Sequence, residues 1–194
     1  MELGDPSGMG HRPARVGALA LGACGGAVGE AVKLLLGDLA EAGAVYERLA
    51  GLATPVEFDV LDGMAEAGAC EALVLGVCAG EELEEPLAEL LPNVAEGSQV
   101  YAVVACESRE PEEALPALSA FEKWCSEQGF IWQGVLVVAD AARLPLVWGK
   151  PRMGRARRPV SEAMDELLLA IRCGAEVGVF SAVPRVPSWR RHAN

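Results

Sequence analysis

Predominantly apolar runs alternate along the chain with segments whose apolar residues recur every three or four positions. The runs cover residues 16–22, 70–77, 98–105 and 130–140, and each has the length of a single strand. Strands without polar alternation are typical of a parallel sheet that helices cover on both faces. The pattern therefore predicts an α/β fold with a parallel sheet as its central layer.

Segments with helical spacing follow these strands. We expect helices over residues 28–42, with Gly43 as the end, over 111–129, opened by Pro111 and closed by Gly129, and over 160–173. Residues 81–91 are predicted to form an acidic loop that runs into another helix. Repeated strand–helix units joined by right-handed crossovers give a three-layer, doubly wound parallel sheet, which we expect to have five strands.

The second strand has two candidate positions. One is residues 44–50, AVYERLA, and the other is residues 55–61, PVEFDVL. We prefer the first because residues 62–69 then form a short helix. Residues 1–15 are predicted to be a flexible N-terminal tail and 16–174 the domain. We expect residues 175–194 to be a tail that packs on the domain or on a neighbouring subunit.

The loops after the first, third and fourth predicted strands form the candidate site, because doubly wound sheets bind ligands at the carboxyl ends of their strands. The first loop is rich in glycine and opens a helix, where backbone N–H groups can bind a phosphate. The alternative is a tight strand-to-helix turn without a ligand. The glycine spacing of the first loop is not that of a dinucleotide-binding fingerprint, although Glu47 would imitate the ribose-binding acid of such a site. The candidate cofactor-binding residues are Gly22, Ala23, Cys24, Gly25, Gly26, Ala27, Val28, Gly29, Val77, Cys78, Ala79, Gly80, Cys106, Glu107 and Ser108.

Charge is unevenly distributed along the sequence. The net charge of −12 divides into 6 Lys/Arg against 24 Asp/Glu in residues 1–140 and 10 against 4 in residues 141–194. An acidic body repels nucleic acid and anionic membranes, so we expect neither as a partner. The basic residues between 150 and 158 either meet an anion or pair with the acidic body. They are Lys150, Arg152, Arg155, Arg157 and Arg158.

None of the 6 cysteines forms a C-x-x-C motif, and several lie in apolar runs. We interpret them as small buried side chains of a protein from a reducing compartment. A reactive thiol at Cys24 and a redox pair of Cys78 with Cys106 are the alternatives. The sequence predicts no metal site, no signal peptide and no membrane span, so a cytoplasmic location is expected.

Residues 16–194 resemble the flavodoxin-like superfamily, and more narrowly the NADPH-dependent FMN reductase and flavodoxin-family oxidoreductase group. The resemblance lies in the glycine loop with its helix, in ALVLGVCAGEELEEPLAELL with its Pro86–Leu87 pair, in VYAVVACESREPEEALPAL, and in the tail AVPRVPSWRRHAN. It implies the strand order 2-1-3-4-5, FMN as cofactor, NAD(P)H as co-substrate and a homodimer. The basic run would then be a clamp for the NADPH 2′-phosphate or for an acidic partner subunit.

The chain departs from this family at the site itself. Residues 25–30 offer no hydroxyl or basic side chain, and residues 77–80 offer no aromatic ring to stack on a flavin. Residues 51–59 contain no cysteine, which excludes the iron–sulfur variant of the family. The leading expectation is an oxidoreductase that passes electrons from NAD(P)H through FMN to a flavin or quinone-like acceptor, without a catalytic acid–base residue. The alternative is a degenerate member that no longer binds FMN and acts as a binding or assembly module.

Overall fold

The computed structural model describes residues 11–51 and 54–185, which form one six-stranded sheet flanked by helices. All neighbouring strands are parallel, in the order β2-β1-β3-β4-β5-β6. The strands are β1 (Arg15–Ala20), β2 (Glu57–Val60), β3 (Ala72–Cys78), β4 (Gln99–Ala105), β5 (Ile131–Val138) and β6 (Gly178–Ala182). The predicted parallel α/β architecture is confirmed, and the predicted number of five strands is wrong.

Five α-helices connect these strands within the described residues. They are α1 (Gly26–Ala50), α2 (Glu84–Leu90), α3 (Leu115–Gln128), α4 (Leu144–Trp148) and α5 (Arg158–Cys173). Short 3-10 turns add Met64–Ala69, Leu91–Asn93, Pro111–Ala114 and Ala141–Arg143. The sequence located α3 and α5 to within a few residues, and Gly129 ends α3 in the left-handed conformation, as a glycine C-cap does.

The sheet separates two hydrophobic cores. On one face, α1 and α5 pack against alternate strand residues such as Val74 and Val103. On the other face, α2 and α3 pack against the intervening residues such as Leu75 and Val104. The central strands β3 and β4 are buried along their whole length, which explains why β3, and β4 after Gln99, are apolar.

The preferred second strand is wrong, because residues 44–50 are the last two turns of α1. Gly43 does not end this helix. A side chain there would place its Cβ 2.5 Å from Cγ of Phe58, so Gly43 lets α1 lie directly on β2. The helix ends at Gly51, whose φ of 59° is the left-handed conformation that glycine adopts freely. The alternative position, residues 55–61, contains β2.

The sixth strand lies inside the segment predicted to be a tail. β6 pairs with β5 at the edge of the sheet, and its residues are mostly half-buried or exposed, so its sequence lacks a continuous apolar run. A side chain at Gly134 of β5 would lie 2.7 Å from the backbone nitrogen of Gly178, which shows how closely the two strands approach. Most of the predicted N-terminal tail and residues 186–194 of the C-terminal tail lie outside the described residues.

Candidate functional site

The three predicted loops leave neighbouring strands at the carboxyl edge of the sheet. The backbone ladder continues past the strand ends, with Leu21 donating to Gly76 at 2.8 Å and Ala79 donating to Ala105 at 2.8 Å. β1 and β3 are adjacent, and the helices that follow them, α1 and α2, cover opposite faces. This is the switch point at which doubly wound sheets bind ligands.

The first loop opens α1 with an uncapped N-terminus. Gly22 and Gly26 have φ values of 78° and 62°, which explains the need for glycine at both positions. Gly25 is the N-cap residue, no side chain caps the helix, and its first turn carries no acidic residue. Residues 25–27 are exposed. The positive end of a 25-residue helix therefore faces solvent here, where it can bind an anion.

Tight packing fixes the shape of this loop. Gly29 lies in the first turn of α1, where an added Cβ would lie 2.6 Å from the carbonyl carbon of Cys24 and would overlap the attached oxygen. Gly29 also donates to the carbonyl of Gly25 at 3.2 Å. Glycine at this position thus allows the loop to fold back against its own helix.

A disulfide joins Cys24 of the first loop to Cys78 at the end of β3, with their Cα atoms 5.8 Å apart. The interpretation of these two cysteines as simple buried side chains is wrong, and so is the suggested pairing of Cys78 with Cys106. Cys106 is a buried free thiol, and burial together with the charge of Glu113 raises its pKa to about 11.

The second loop brings a carboxylate to the candidate phosphate loop. Cys78 and Val77 are buried, and Gly80 turns the exposed chain with a φ of 82°. One carboxylate oxygen of Glu81 lies 3.3 Å from the position that a Cβ of Gly22 would occupy. The other acid that the sequence places near the loop, Glu30, has an exposed side chain one turn into α1. A bound anion at Gly22 would therefore meet the charge of Glu81.

The third loop contains the one hydroxyl of the candidate set, and that hydroxyl is already bonded. Ser108 Oγ donates to the carboxylate of Glu113 at 2.8 Å and accepts from the backbone N–H of Glu110 at 3.2 Å. Glu107 is exposed beside it. The loop can present side-chain carboxylate and backbone groups to a ligand more readily than this hydroxyl.

Asp140 lies at this edge of the sheet and is not among the candidate residues predicted from the sequence. It follows β5, is buried, and has a φ of 54°. Its carboxylate pairs with Nε of Arg109 and with Nε of Arg143, each at 3.0 Å, and its backbone N–H donates to Ser108 O. An acid at the end of a predicted buried strand was the available signal. Asp140 fixes the third loop to the end of β5.

A cleft of about 520 Å³ lies next to this ion-pair cluster, beyond the carboxyl end of β6. Arg109 and Arg185 line it together with Pro159 and residues 181–184. Arg109 and Arg143 share the single carboxylate of Asp140, so this cluster keeps a net positive charge beside the cleft. Arg185 adds a second guanidinium to the lining of the cleft. The cleft is suited to an anionic group of a ligand.

Two of the five basic residues between 150 and 158, Arg152 and Arg157, have a structural role. Arg157 is buried, pairs with Asp38 of α1 at 2.9 Å and stacks on the ring of Trp148. Arg152 bridges the same Asp38 to Asp165 of α5, at 3.0 and 2.8 Å. Lys150, Arg155 and Arg158 are exposed. The pairing of this run with the acidic body is thus observed for Arg152 and Arg157.

Glu47 lies on α1, away from the candidate loops, and does not imitate a ribose-binding acid. Its buried carboxylate receives hydrogen bonds from Arg12, from Arg172 and from the backbone N–H of Val56. Burial opposes its ionisation, but these hydrogen bonds, led by that of Arg172, outweigh burial and hold the pKa of Glu47 below its ordinary value.

Within residues 11–51 and 54–185, no group of three or more His, Cys, Asp or Glu side chains is arranged to hold a metal ion. No helix of this part of the chain is long and apolar enough to cross a membrane. Comparison of the sequence with protein-family models and with curated proteins finds no match. The fold is compatible with a flavodoxin-like protein. This compatibility rests only on the order of the strands in the sheet and on the flanking helices.

Proposed function

We propose that the protein binds FMN at the carboxyl edge of the sheet and acts as an oxidoreductase of the NAD(P)H-dependent FMN reductase type. The observation that carries this proposal is the uncapped N-terminus of α1, exposed at residues 25–27, at the switch point between β1 and β3. Backbone N–H groups at such a position bind phosphate without side-chain hydroxyls. The glycines at positions 25 and 26 leave the approach open.

The three loops divide the work of holding the cofactor. The phosphate would lie at the N-terminus of α1, and the loops that begin at Cys78 and Cys106 would flank the ring. When held by these loops, FMN would supply the redox chemistry between NAD(P)H and a flavin or quinone-like acceptor. The cleft lined by Arg109 and Arg185 would hold an anionic group of the co-substrate.

A second function is favoured by specific features of the same loops. The carboxylate of Glu81 lies against Gly22, and the hydroxyl of Ser108 is already bonded to Glu113. No aromatic side chain follows β3 to stack on a flavin ring. These features support a flavodoxin-like binding or assembly module that no longer takes up FMN.

Titration with FMN separates the two functions. We expect flavin absorbance in the purified protein, or quenching of FMN fluorescence with a Kd of about 1 μM. The variant Glu81→Gln should bind FMN about fivefold more tightly, because one charge at about 4 Å costs roughly 1 kcal/mol even in water. Glu82→Gln, an equal change at the exposed neighbouring residue, should alter Kd less than twofold.

A colourless protein whose variants also ignore FMN at about 1 mM would reject the oxidoreductase and favour the module. If FMN binds, oxidation of NADH or NADPH by the FMN-loaded protein is the next assay. Binding of FMN with equal affinity by wild type and Glu81→Gln would place the phosphate away from Gly22.

We also propose a homodimer. Val45, Tyr46 and Leu49 at the end of α1 and Leu169 of α5 are exposed apolar side chains, and Leu49 is 80% exposed. Such a patch is typical of an interface between subunits. Light scattering coupled to gel filtration should give twice the chain mass of 20.3 kDa, and Leu49→Glu should convert it to the monomer.

A further inference from the structure

The Cys24–Cys78 disulfide joins the first loop of the candidate site to the end of β3, where the second loop begins, across 54 residues of sequence. We infer that this pair is a site of reversible thiol–disulfide exchange, with Cys24 as the sulfur that an external thiol attacks. The inference does not rest on the proposed function, because thiol exchange requires no flavin. The co-reactant is a small thiol or a protein dithiol.

The two sulfurs differ in access. Cys24 is half-buried in a loop whose neighbours, Ala23 and Gly25, are exposed and small. Cys78 is the last residue of β3 and is 7% exposed. An attacking thiolate must approach along the line of the sulfur–sulfur bond, so it reaches the more accessible of the two sulfurs, that of Cys24.

The surroundings of Cys24 also favour its thiolate. Cys24 directly precedes Gly25, the N-cap residue of α1. The partial positive charge of a helix N-terminus stabilises a thiolate and is a recognised feature of reactive cysteines. Because Gly25 supplies no side-chain cap, the first backbone N–H groups of α1 are not bonded to a capping side chain.

The exchange balances as a two-electron reaction. A thiolate of a dithiol attacks Sγ of Cys24, the sulfur–sulfur bond of the protein breaks, and Cys78 leaves as a thiolate that takes up a proton. The second thiolate of the dithiol then attacks the first sulfur of the dithiol, which is bonded to Cys24 in the mixed disulfide, and Cys24 leaves as a thiolate. The protein gains two electrons and two protons, and the dithiol becomes a disulfide. Reoxidation by a disulfide such as oxidised glutathione reverses these steps.

The buried free cysteines are poor competitors for this chemistry. Burial raises the pKa of Cys125 to about 12, and burial with the charge of Glu113 raises that of Cys106 to about 11. The pKa of Cys70 is also raised, chiefly by burial. At neutral pH these thiols contain little thiolate, so exchange should be selective for the Cys24–Cys78 pair. The fourth free cysteine, Cys173, is exposed and serves as an internal reference for accessible thiols.

The first test uses the wild-type protein in glutathione buffers of increasing reduced-to-oxidised ratio. After equilibration the native protein is quenched in acid, denatured and alkylated, and the labelled cysteines are identified by peptide mass. We expect Cys24 and Cys78 to join the labelled set together and smoothly, while the buried Cys70, Cys106 and Cys125 stay labelled throughout. Cys173 is scored separately, because oxidised glutathione also captures this exposed thiol. A pair that stays oxidised in the most reducing buffer while the protein stays folded would overturn the inference. A pair that is never oxidised would do the same.

The second test uses single variants to measure which sulfur is attacked. In Cys78→Ser, Cys24 is a free thiol, and in Cys24→Ser, Cys78 is the free thiol. We expect oxidised glutathione to capture Cys24 at least tenfold faster than Cys78. Capture of Cys173 in the same samples corrects for differences in reagent, and far-UV circular dichroism checks the fold. Equal capture rates, or faster capture of Cys78, would overturn the assignment of Cys24. If either variant fails to fold, the site of the first mixed disulfide is mapped in the wild type.

Discussion

The close packing of the first loop on α1 predicts opposite effects for two identical substitutions in one helix. Gly29→Ala places a Cβ 2.6 Å from the carbonyl carbon of Cys24, well inside van der Waals contact, and the obstacle is backbone that no rotamer change can move. Gly37→Ala places its Cβ where no heavy atom lies within 4 Å. Both variants therefore add the same methyl group to α1, and only the methyl group at position 29 collides with the backbone.

The magnitudes follow from these contacts. Replacing glycine by alanine within a helix stabilises by about 1 kcal/mol, and Gly37→Ala should gain most of this. At position 29 the same gain is set against an overpacking cost of about 1–3 kcal/mol. We expect Gly29→Ala to be less stable than Gly37→Ala by about 2 kcal/mol, which corresponds to roughly 4–8 °C in Tm for a chain of this size.

Urea unfolding followed by circular dichroism measures the difference directly. The wild type should lie between the two variants, with an unchanged m-value in all three proteins. Equal stability of Gly29→Ala and Gly37→Ala would refute the close packing of Cys24 on the helix. The experiment should be repeated with a reductant, since the Cys24–Cys78 bond holds the loop in the path of the new methyl group. Reduction should then make the cost at position 29 smaller.

Two further predictions concern buried charges. Asp38→Asn should destabilise by about 3 kcal/mol in urea unfolding, because it leaves the guanidinium of the buried Arg157 without its carboxylate. Glu162→Gln, which removes an exposed pair within α5, should change stability by less than about 0.5 kcal/mol, and equal effects would contradict the argument. The pKa of Glu47 is lowered in the folded protein. Ionised Glu47 therefore stabilises the folded protein at a pH above the ordinary glutamate pKa, and this stabilisation is lost as the pH falls through the lowered pKa. The stability advantage of wild type over Glu47→Gln should therefore shrink below about pH 4, and an advantage independent of pH would show that the ion pair with Arg172 contributes nothing.

The strands that the sequence predicted correctly are those with a buried central stretch, namely β1, β3, β4 and β5. β3 is apolar throughout and β4 is apolar after Gln99, so their apolar sequence located both strands to within two residues. β2 and β6 are edge strands with exposed positions, and such strands lack that pattern. The single physical error behind the misplaced second strand is the role given to Gly43. A glycine within helical spacing can end a helix or can let it approach a neighbour, and only the position of Phe58 shows which applies.

The candidate loops were predicted from the strand ends, but the bond between two of them was not. Cys24 follows β1 by a few residues and Cys78 ends β3, and the order 2-1-3 makes these strands neighbours. The sequence therefore contained the information for the contact, provided that strand order and cysteine position were combined. The contacts of Glu81 with Gly22 and of Asp140 with Arg109 depend on loop conformations that periodicity does not encode.

The proposed anion site and the proposed exchange site share the segment between Gly22 and Gly26, which makes the two proposals mutually testable. Binding and redox state are linked by a thermodynamic cycle, so the factor by which reduction of Cys24–Cys78 changes FMN affinity must equal the factor by which FMN changes the disulfide equilibrium. An anion at the N-terminus of α1 competes with the Cys24 thiolate for the same partial charge. FMN should therefore bind more weakly to the reduced protein and should shift the glutathione titration toward the disulfide. If reduction weakens FMN binding by the same factor, greater than one, by which FMN favours the disulfide, the phosphate lies beside Cys24. If both factors equal one, the phosphate lies elsewhere.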